Sequence, residues 1–176
     1  CQFLTKKTRN MSKLDFIIAK IHTIQSIGRL VAYWKFKNKK IVFTNGCFDI
    51  IHLGHIIYLA KAADMGDKLI IGVNSDHSIK RLKGKNRPIN DEKARQYVLA
   101  SLSFVSAVVL FEEDTPLSLI QTIKPDILVK GGDWTVDQIV GGHFVQSYGG
   151  KVMSLQFVEG KSTTKIIEKS SGNIKF

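Results

Sequence analysis

His52 and His55 lie three residues apart inside the segment TNGCFDIIHLGH, Thr44 to His55. That spacing lets both imidazoles project from one turn at a helix start, and Gly54 between them leaves room for a phosphate to approach closely. Helix starts already favour anions through unpaired N–H groups and the helix dipole. Two imidazole donors added there make a phosphate clamp. A lone histidine would more often be a core or surface residue; the pair, in a strand–loop–helix context, favours the clamp. Zinc is disfavoured, because no third His or Cys stands at useful local spacing.

A second anion-binding candidate lies near the C-terminus, in EGKSTTK. Ser162, Thr163 and Thr164 put hydroxyls and N–H groups at a helix start, with Lys161 alongside. A plain N-cap at Ser162 would account for one of these residues and leave the others unexplained. The P-loop pattern needs a glycine five residues before Gly160, and that residue is Leu155.

The elements that must position these groups alternate along the chain. Ile41–Phe43 reads as a short buried strand, followed by a helix ending near Gly66, a strand Leu69–Val73 and a short helical stretch near Ser75–Arg81. A basic loop, Arg81 to Pro88, comes next; Asn90 reads as the N-cap of the following helix, with Asp91 and Glu92 in its first turn. Ala107–Phe111 is the third strand, Thr115 with Pro116 at the first helical position opens a helix, and Ile127–Lys130 is the fourth strand. Thr135 with Gln138 resembles a capping box. Gly149-Gly150 ends that helix, Lys151–Phe157 is the fifth strand, and Ser162 caps a last helix.

Strands alternating with helices predict a doubly wound, Rossmann-like α/β domain, with a five-stranded parallel sheet and helices on both faces. Ligands bind such sheets beyond the carboxyl ends of the strands, where the strand order reverses. TNGCFDIIHLGH, VNSD, KGGDW and EGKSTTK each follow a strand and so converge on that edge. Ahead of the sheet, Leu14, Ile17, Ile18, Ile21, Ile24, Ile27, Val31 and Trp34 predict an amphipathic helix, or a helix pair broken near Gly28. The expected organisation is a disordered extension over 1–12, a helical segment over 13–37, the main domain over 38–170 and a tail over 171–176.

Composition sets the outer bounds. With 176 residues, 44% hydrophobic and 23% charged, the chain suits one globular domain rather than a disordered one. Its two cysteines, Cys1 and Cys47, have neither disulfide-framework nor metal-ligand spacing, which fits a reducing, cytoplasmic setting. No apolar run reaches the length of a membrane span and no signal-peptide pattern is visible, so a protein without membrane contact is expected. The net charge of +11 invites a nucleic-acid partner. The basic residues are scattered rather than gathered in a stripe with aromatics, so no nucleic acid is expected and a small anionic substrate is favoured.

FTNGCFDIIHLGH together with EGKSTTKII resembles the cytidylyltransferase-like nucleotidyltransferases, over about Asn38 to Lys169. VNSDHSIKRLKGKNRPIN, FEEDTP and PDILVKGGDW are more particularly similar to the adenylyltransferases that make ADP-heptose from D-glycero-β-D-manno-heptose 1-phosphate and ATP. The resemblance implies that His52 and His55 act on the triphosphate and that Thr44, Asn45, Gly46, Phe48 and Gly54 form the nucleotide and substrate loop. It implies phosphate contact by Lys83, substrate contact by Asp49 and Arg87, and a nucleotide border at Gly131, Asp133 and Trp134. Lys161, Ser162, Thr163 and Thr164 would hold the outer phosphates. Related glycerol-phosphate cytidylyltransferases carry an arginine where this chain has Phe157.

The implied partners are ATP and a sugar 1-phosphate, with Mg²⁺ held mainly by the substrate phosphates rather than by protein ligands, in a homo-oligomer, a dimer. The implied reaction is in-line attack of the sugar phosphate on the α-phosphorus of ATP, with no protein nucleophile; Cys47 is then a small filler. A cytidylyltransferase acting on glycerol 3-phosphate or another small phosphorylated alcohol, and a non-catalytic nucleotide-binding module, are the alternatives.

Overall fold

The computed structural model describes residues 11–156. Among these residues six strands form one sheet in the order β1-β4-β3-β2-β5-β6, with every neighbouring pair parallel. They are β1 (Ile21–His22), β2 (Ile41–Gly46), β3 (Lys68–Asn74), β4 (Ala107–Phe111), β5 (Ile127–Gly131) and β6 (Lys151–Leu155). The central strands are apolar on both faces, as a sheet covered on both sides requires. Ile41 and Phe43 of β2 join one core cluster and Val42 the other; likewise Leu128 of β5 points one way, Ile127 and Val129 the other.

The helices divide accordingly. α2 (Ile24–Phe36), α6 (Leu117–Ile123) and α7 (Gly142–Ser147) contribute Ile27, Val31, Ile120 and Val145 to the first cluster. α3 (Leu53–Ala63) and α5 (Glu92–Ser101) cover the other face with Tyr58, Leu59 and Leu99. α1 (Lys13–Ile18) and α4 (Asp76–Lys83) are the remaining α-helices among the described residues. No helix among the described residues is long and apolar enough to cross a membrane.

The sixth strand corrects the expected five. The 13–37 segment is not one helix: α1 stops at Ile18, Ile21 and His22 pair with Val108 and Val109, and α2 starts afresh. The break falls before Thr23, not near Gly28. Thr23 and Ser26 form a capping box that opens α2, and Ser12 with Asp15 does the same for α1. Gly28 lies inside α2, where a β-carbon would stand 3.7 Å from the Thr122 methyl of α6, an ordinary contact that does not require glycine.

Two helix starts shift by one residue. Asp91, not Asn90, caps α5 by accepting from the Ala94 N–H at 2.7 Å, because Asn90 is engaged elsewhere. Pro116 occupies the cap of α6 and Leu117 its first position. The Thr135–Gln138 capping box is present, but it opens a single 3₁₀ turn over Val136–Gln138 ahead of α7. The fifth predicted strand is seen over Lys151–Leu155 as β6, and the predicted last helix lies outside the described residues.

Candidate active site

The chain order of the strands reverses between β2 and β5, and a cavity of about 570 Å³ opens at their carboxyl ends. β2 runs straight into one of its walls. Asn45, Gly46, Phe48 and Asp49 all face the cavity, which His55 borders from the first turn of α3. Phe48 has a left-handed backbone, φ 47°, unusual for a side chain of its size. Tethers on both sides hold it there: Cys47 O accepts from Arg95 at 2.6 Å, and Asp49 Oδ1 accepts from the N–H groups of Ile89 and Asn90 at 2.8 and 2.9 Å. A β-carbon on Gly46 would stand 3.1 Å from the Phe48 ring, tighter than ordinary contact, so any larger residue would have to displace the ring by a few tenths of an ångström.

His52 caps α3 from an extended backbone and His55 follows in the first turn, with ring centroids 3.9 Å apart. The edge of Phe48 meets His55 at 5.5 Å. Burial, then the neighbouring His52, then Lys83, push the His55 pKa down to about 4, so its imidazole is neutral at physiological pH. Its buried Nδ1 has no hydrogen-bond partner among the described residues. A buried polar atom of this kind normally has a partner, and a ligand oxygen in the crevice would supply one.

Charge in the cavity is unbalanced. Among the described residues its two carboxylates are already paired, Asp49 with Arg87 at 2.7 Å and Asp114 with Arg81 at 2.7 Å. Lys83, the last residue of α4, and Lys130 on β5 also line the cavity, and neither has a carboxylate within ion-pair distance among the described residues. Burial lowers the Lys130 pKa, while Cys47 beside it acts in the opposite direction. The site therefore attracts anions. Among the described residues no group of three or more His, Cys, Asp or Glu is placed to hold a metal ion.

Of the sequence-derived residues, Asn45, Gly46, Phe48, Asp49, His55, Lys83, Arg87, Gly131 and Trp134 line the cavity, whereas His52 lies against His55 and is not among the lining residues. Gly131 and Trp134 line the far wall, where the indole N–H donates to the Gly131 carbonyl at 2.9 Å. Thr44 is fully buried below the cavity, its hydroxyl 2.6 Å from Tyr58 Oη. Gly54 is buried in the first turn of α3, and Asp133 is exposed outside the cavity wall. Asp49, expected to contact substrate, lines the cavity and also anchors the basic loop through Arg87 and the Ile89 and Asn90 amides. Lys161, Ser162, Thr163 and Thr164 lie outside the described residues.

Sequence reasoning missed Lys130 and Arg95. Lys130 carries a signal in retrospect: it is an ionisable residue closing the apolar run Ile127-Leu128-Val129. Arg95 carries none, since a charged residue in a polar helix reads as solvated. It is 1% exposed, and its guanidinium donates to the carbonyls of Cys47, Asn74 and Asn90 and to the Asp76 carboxylate at 2.7 Å.

A parallel doubly wound sheet with an anion-attracting crevice at its switch point, and paired imidazoles at a helix start, defines a nucleotide-handling α/β protein. The chain belongs to the cytidylyltransferase-like family of nucleotidyltransferases, whose model matches residues 43–169. It is 52% identical over 158 residues to the bifunctional protein HldE of Geotalea uraniireducens (strain Rf4), covering 89% of this chain and 32% of that protein. It is 51% identical over 155 residues to the HldE of Paramagnetospirillum magneticum (strain ATCC 700264 / AMB-1), covering 88% of this chain and 32% of that one. The chain thus spans about a third of the length of these curated relatives.

Among solved structures, a lipopolysaccharide core biosynthesis protein from Thermoplasma volcanium GSS1 is similar at 32% identity, with a TM-score of 0.57, covering 70% of this chain and 99% of that one. A pantoate-beta-alanine ligase from Francisella tularensis, 17% identical with a TM-score of 0.56, covers 86% of this chain and 76% of its own, and shares the fold.

Proposed function

We propose that this chain transfers the adenylyl group of ATP to D-glycero-β-D-manno-heptose 1-phosphate, releasing pyrophosphate and forming ADP-heptose. The single observation that carries the chemistry is the anion-attracting crevice at the β2/β5 switch point, with His55 on one wall and Lys130 on the other. The substrate is suggested by the relatives named above, one of them a lipopolysaccharide core biosynthesis protein, and by the RLKGKNRP and KGGDW segments.

In this reading the α3 start, His52, His55 and Lys83 hold the triphosphate. A phosphate oxygen of the sugar attacks the α-phosphorus in line as the bond to the β-phosphate oxygen breaks, and pyrophosphate carries away the charge. Such transfers gain mainly from positioning and charge stabilisation, and a protein nucleophile is not needed. Mg²⁺ enters as part of the nucleotide substrate. The described residues offer no carboxylate cage for it, and this ion commonly rides on phosphate oxygens and water.

The test is pyrophosphate release with ATP or CTP paired with heptose 1-phosphate or glycerol 3-phosphate. Fastest turnover is expected for ATP with heptose 1-phosphate. Preference for CTP with glycerol 3-phosphate would overturn the substrate assignment, and ATP binding without turnover in any pairing would indicate a non-catalytic nucleotide-binding module.

A further inference from the structure

The reaction brings two highly charged phosphate groups into one crevice, and each needs its own compensating charge. Among the described residues three cations line the cavity: Lys83, Arg87 and Lys130. Arg87 is neutralised by Asp49, a carboxylate whose side chain is only 2% exposed, so the residue expected to greet the substrate has no free charge to offer. Lys83 belongs to the histidine wall, since its charge reaches His55. Lys130 belongs to the opposite wall. It leaves β5, the strand across the switch point, and its ammonium lies 3.5 Å from Asn45 Oδ1 on β2. No carboxylate pairs with it among the described residues.

We propose that Lys130 holds the phosphate of the acceptor substrate, on the wall facing the histidine pair, with Asn45 orienting its ammonium. The proposal rests on the nucleotidyltransferase reading but assigns a residue and a phosphate that the reading leaves open. The cost of burying the ammonium, which lowers its pKa, is recovered only when an anion arrives. A phosphate there keeps the lysine charged, fixes the nucleophilic oxygen on the wall facing the histidine pair and offsets its repulsion from the triphosphate. Lys130 thereby selects acceptors that carry a phosphate over neutral sugars.

Two measurements on Lys130→Met and Lys130→Arg test this. In steady-state pyrophosphate release, Lys130→Met should raise the KM for the sugar 1-phosphate by roughly 10- to 100-fold, the usual effect of losing a charge-assisted hydrogen bond. The KM for ATP should stay within about twofold and Lys130→Arg should recover part of the loss. Both variants should melt no earlier than the wild type, because the substitution removes a desolvated charge or keeps it. Equal rises in both KM values, or an unchanged acceptor KM, would overturn the assignment.

The second measurement is calorimetric titration of inorganic phosphate into protein saturated with a non-hydrolysable ATP analogue. The wild type should bind phosphate at least about tenfold more tightly than Lys130→Met. Equal binding in the two proteins, or none in the wild type, would overturn the proposal. If the wild type turned over no sugar phosphate at all, the proposed function would fall, and this titration would still decide the role of Lys130.

Discussion

At the residue scale the account turns on His55. It pays a desolvation penalty for a buried imidazole whose Nδ1 has no partner among the described residues, a poor choice for a core and a sensible one for a ligand site. Aligned donors to charge developing in a transition state are worth about 10²–10³ in turnover. His55→Ala, and separately His52→Ala, should therefore lose most activity while keeping the fold and measurable ATP binding, as read by kcat beside nucleotide affinity. Normal turnover with a much lower Tm would make the pair a packing feature.

The same residue sets a pH signature. In the unfolded chain an ordinary histidine titrates near 6.5, whereas folded His55 does so at about 4, so the unfolded state binds more protons between those values. The stability due to neutral His55 is fully present above about pH 6.5 and is lost as pH falls toward 4. Urea denaturation across that window should show a shallower loss in His55→Gln than in the wild type. Parallel slopes would mean that the imidazole titrates normally.

At the element scale, the site is a set of strand ends tied together by side chains. Arg95, reaching from α5, bridges the loop after β2, the end of β3, the start of α4 and Asn90, the residue before the cap of its own helix, through four acceptors. Removing it would leave three buried or part-buried carbonyls and a carboxylate without their donor. Arg95→Met should cost about 2–4 kcal/mol in denaturant unfolding, and the Phe48 loop should exchange its amides faster. A loss below about 0.5 kcal/mol, the range of ordinary surface changes, would show that the clamp is dispensable.

These ties also mark where the sequence was hard to read. The histidine pair and the glycine turn advertise themselves by type and spacing. Asp49 stands out as a carboxylate in the loop, but its Arg87 and amide partners, 38 to 41 residues away in the chain, leave no local sign. Lys130 looks like the surface end of a strand until β2 lies beside it. Long-range partners of polar groups leave no local pattern, because any carboxylate or guanidinium reads the same before the chain folds.

At the scale of the whole molecule the legible part was the alternation. Each inner strand is an apolar run bounded by turn residues, and each following helix carries one apolar face, so the doubly wound sheet could be derived before any geometry was known. The edge strand β1 escaped because two residues make no period, and because Ile17, Ile21 and Ile24 keep near-helical spacing across the break. The capping boxes at Ser12 and Thr23 were the better guide.

The central claim is that a crevice at the β2/β5 switch point joins a nucleotide's α-phosphorus to a sugar phosphate. The most direct measurement supplies heptose 1-phosphate with ATP labelled at either the α- or the γ-phosphorus and follows where each label goes. The account predicts α-label in a sugar nucleotide and γ-label in pyrophosphate, in equal amounts and with no labelled protein. Transfer of γ-label to the sugar phosphate, or α-label held covalently on the chain, would contradict it.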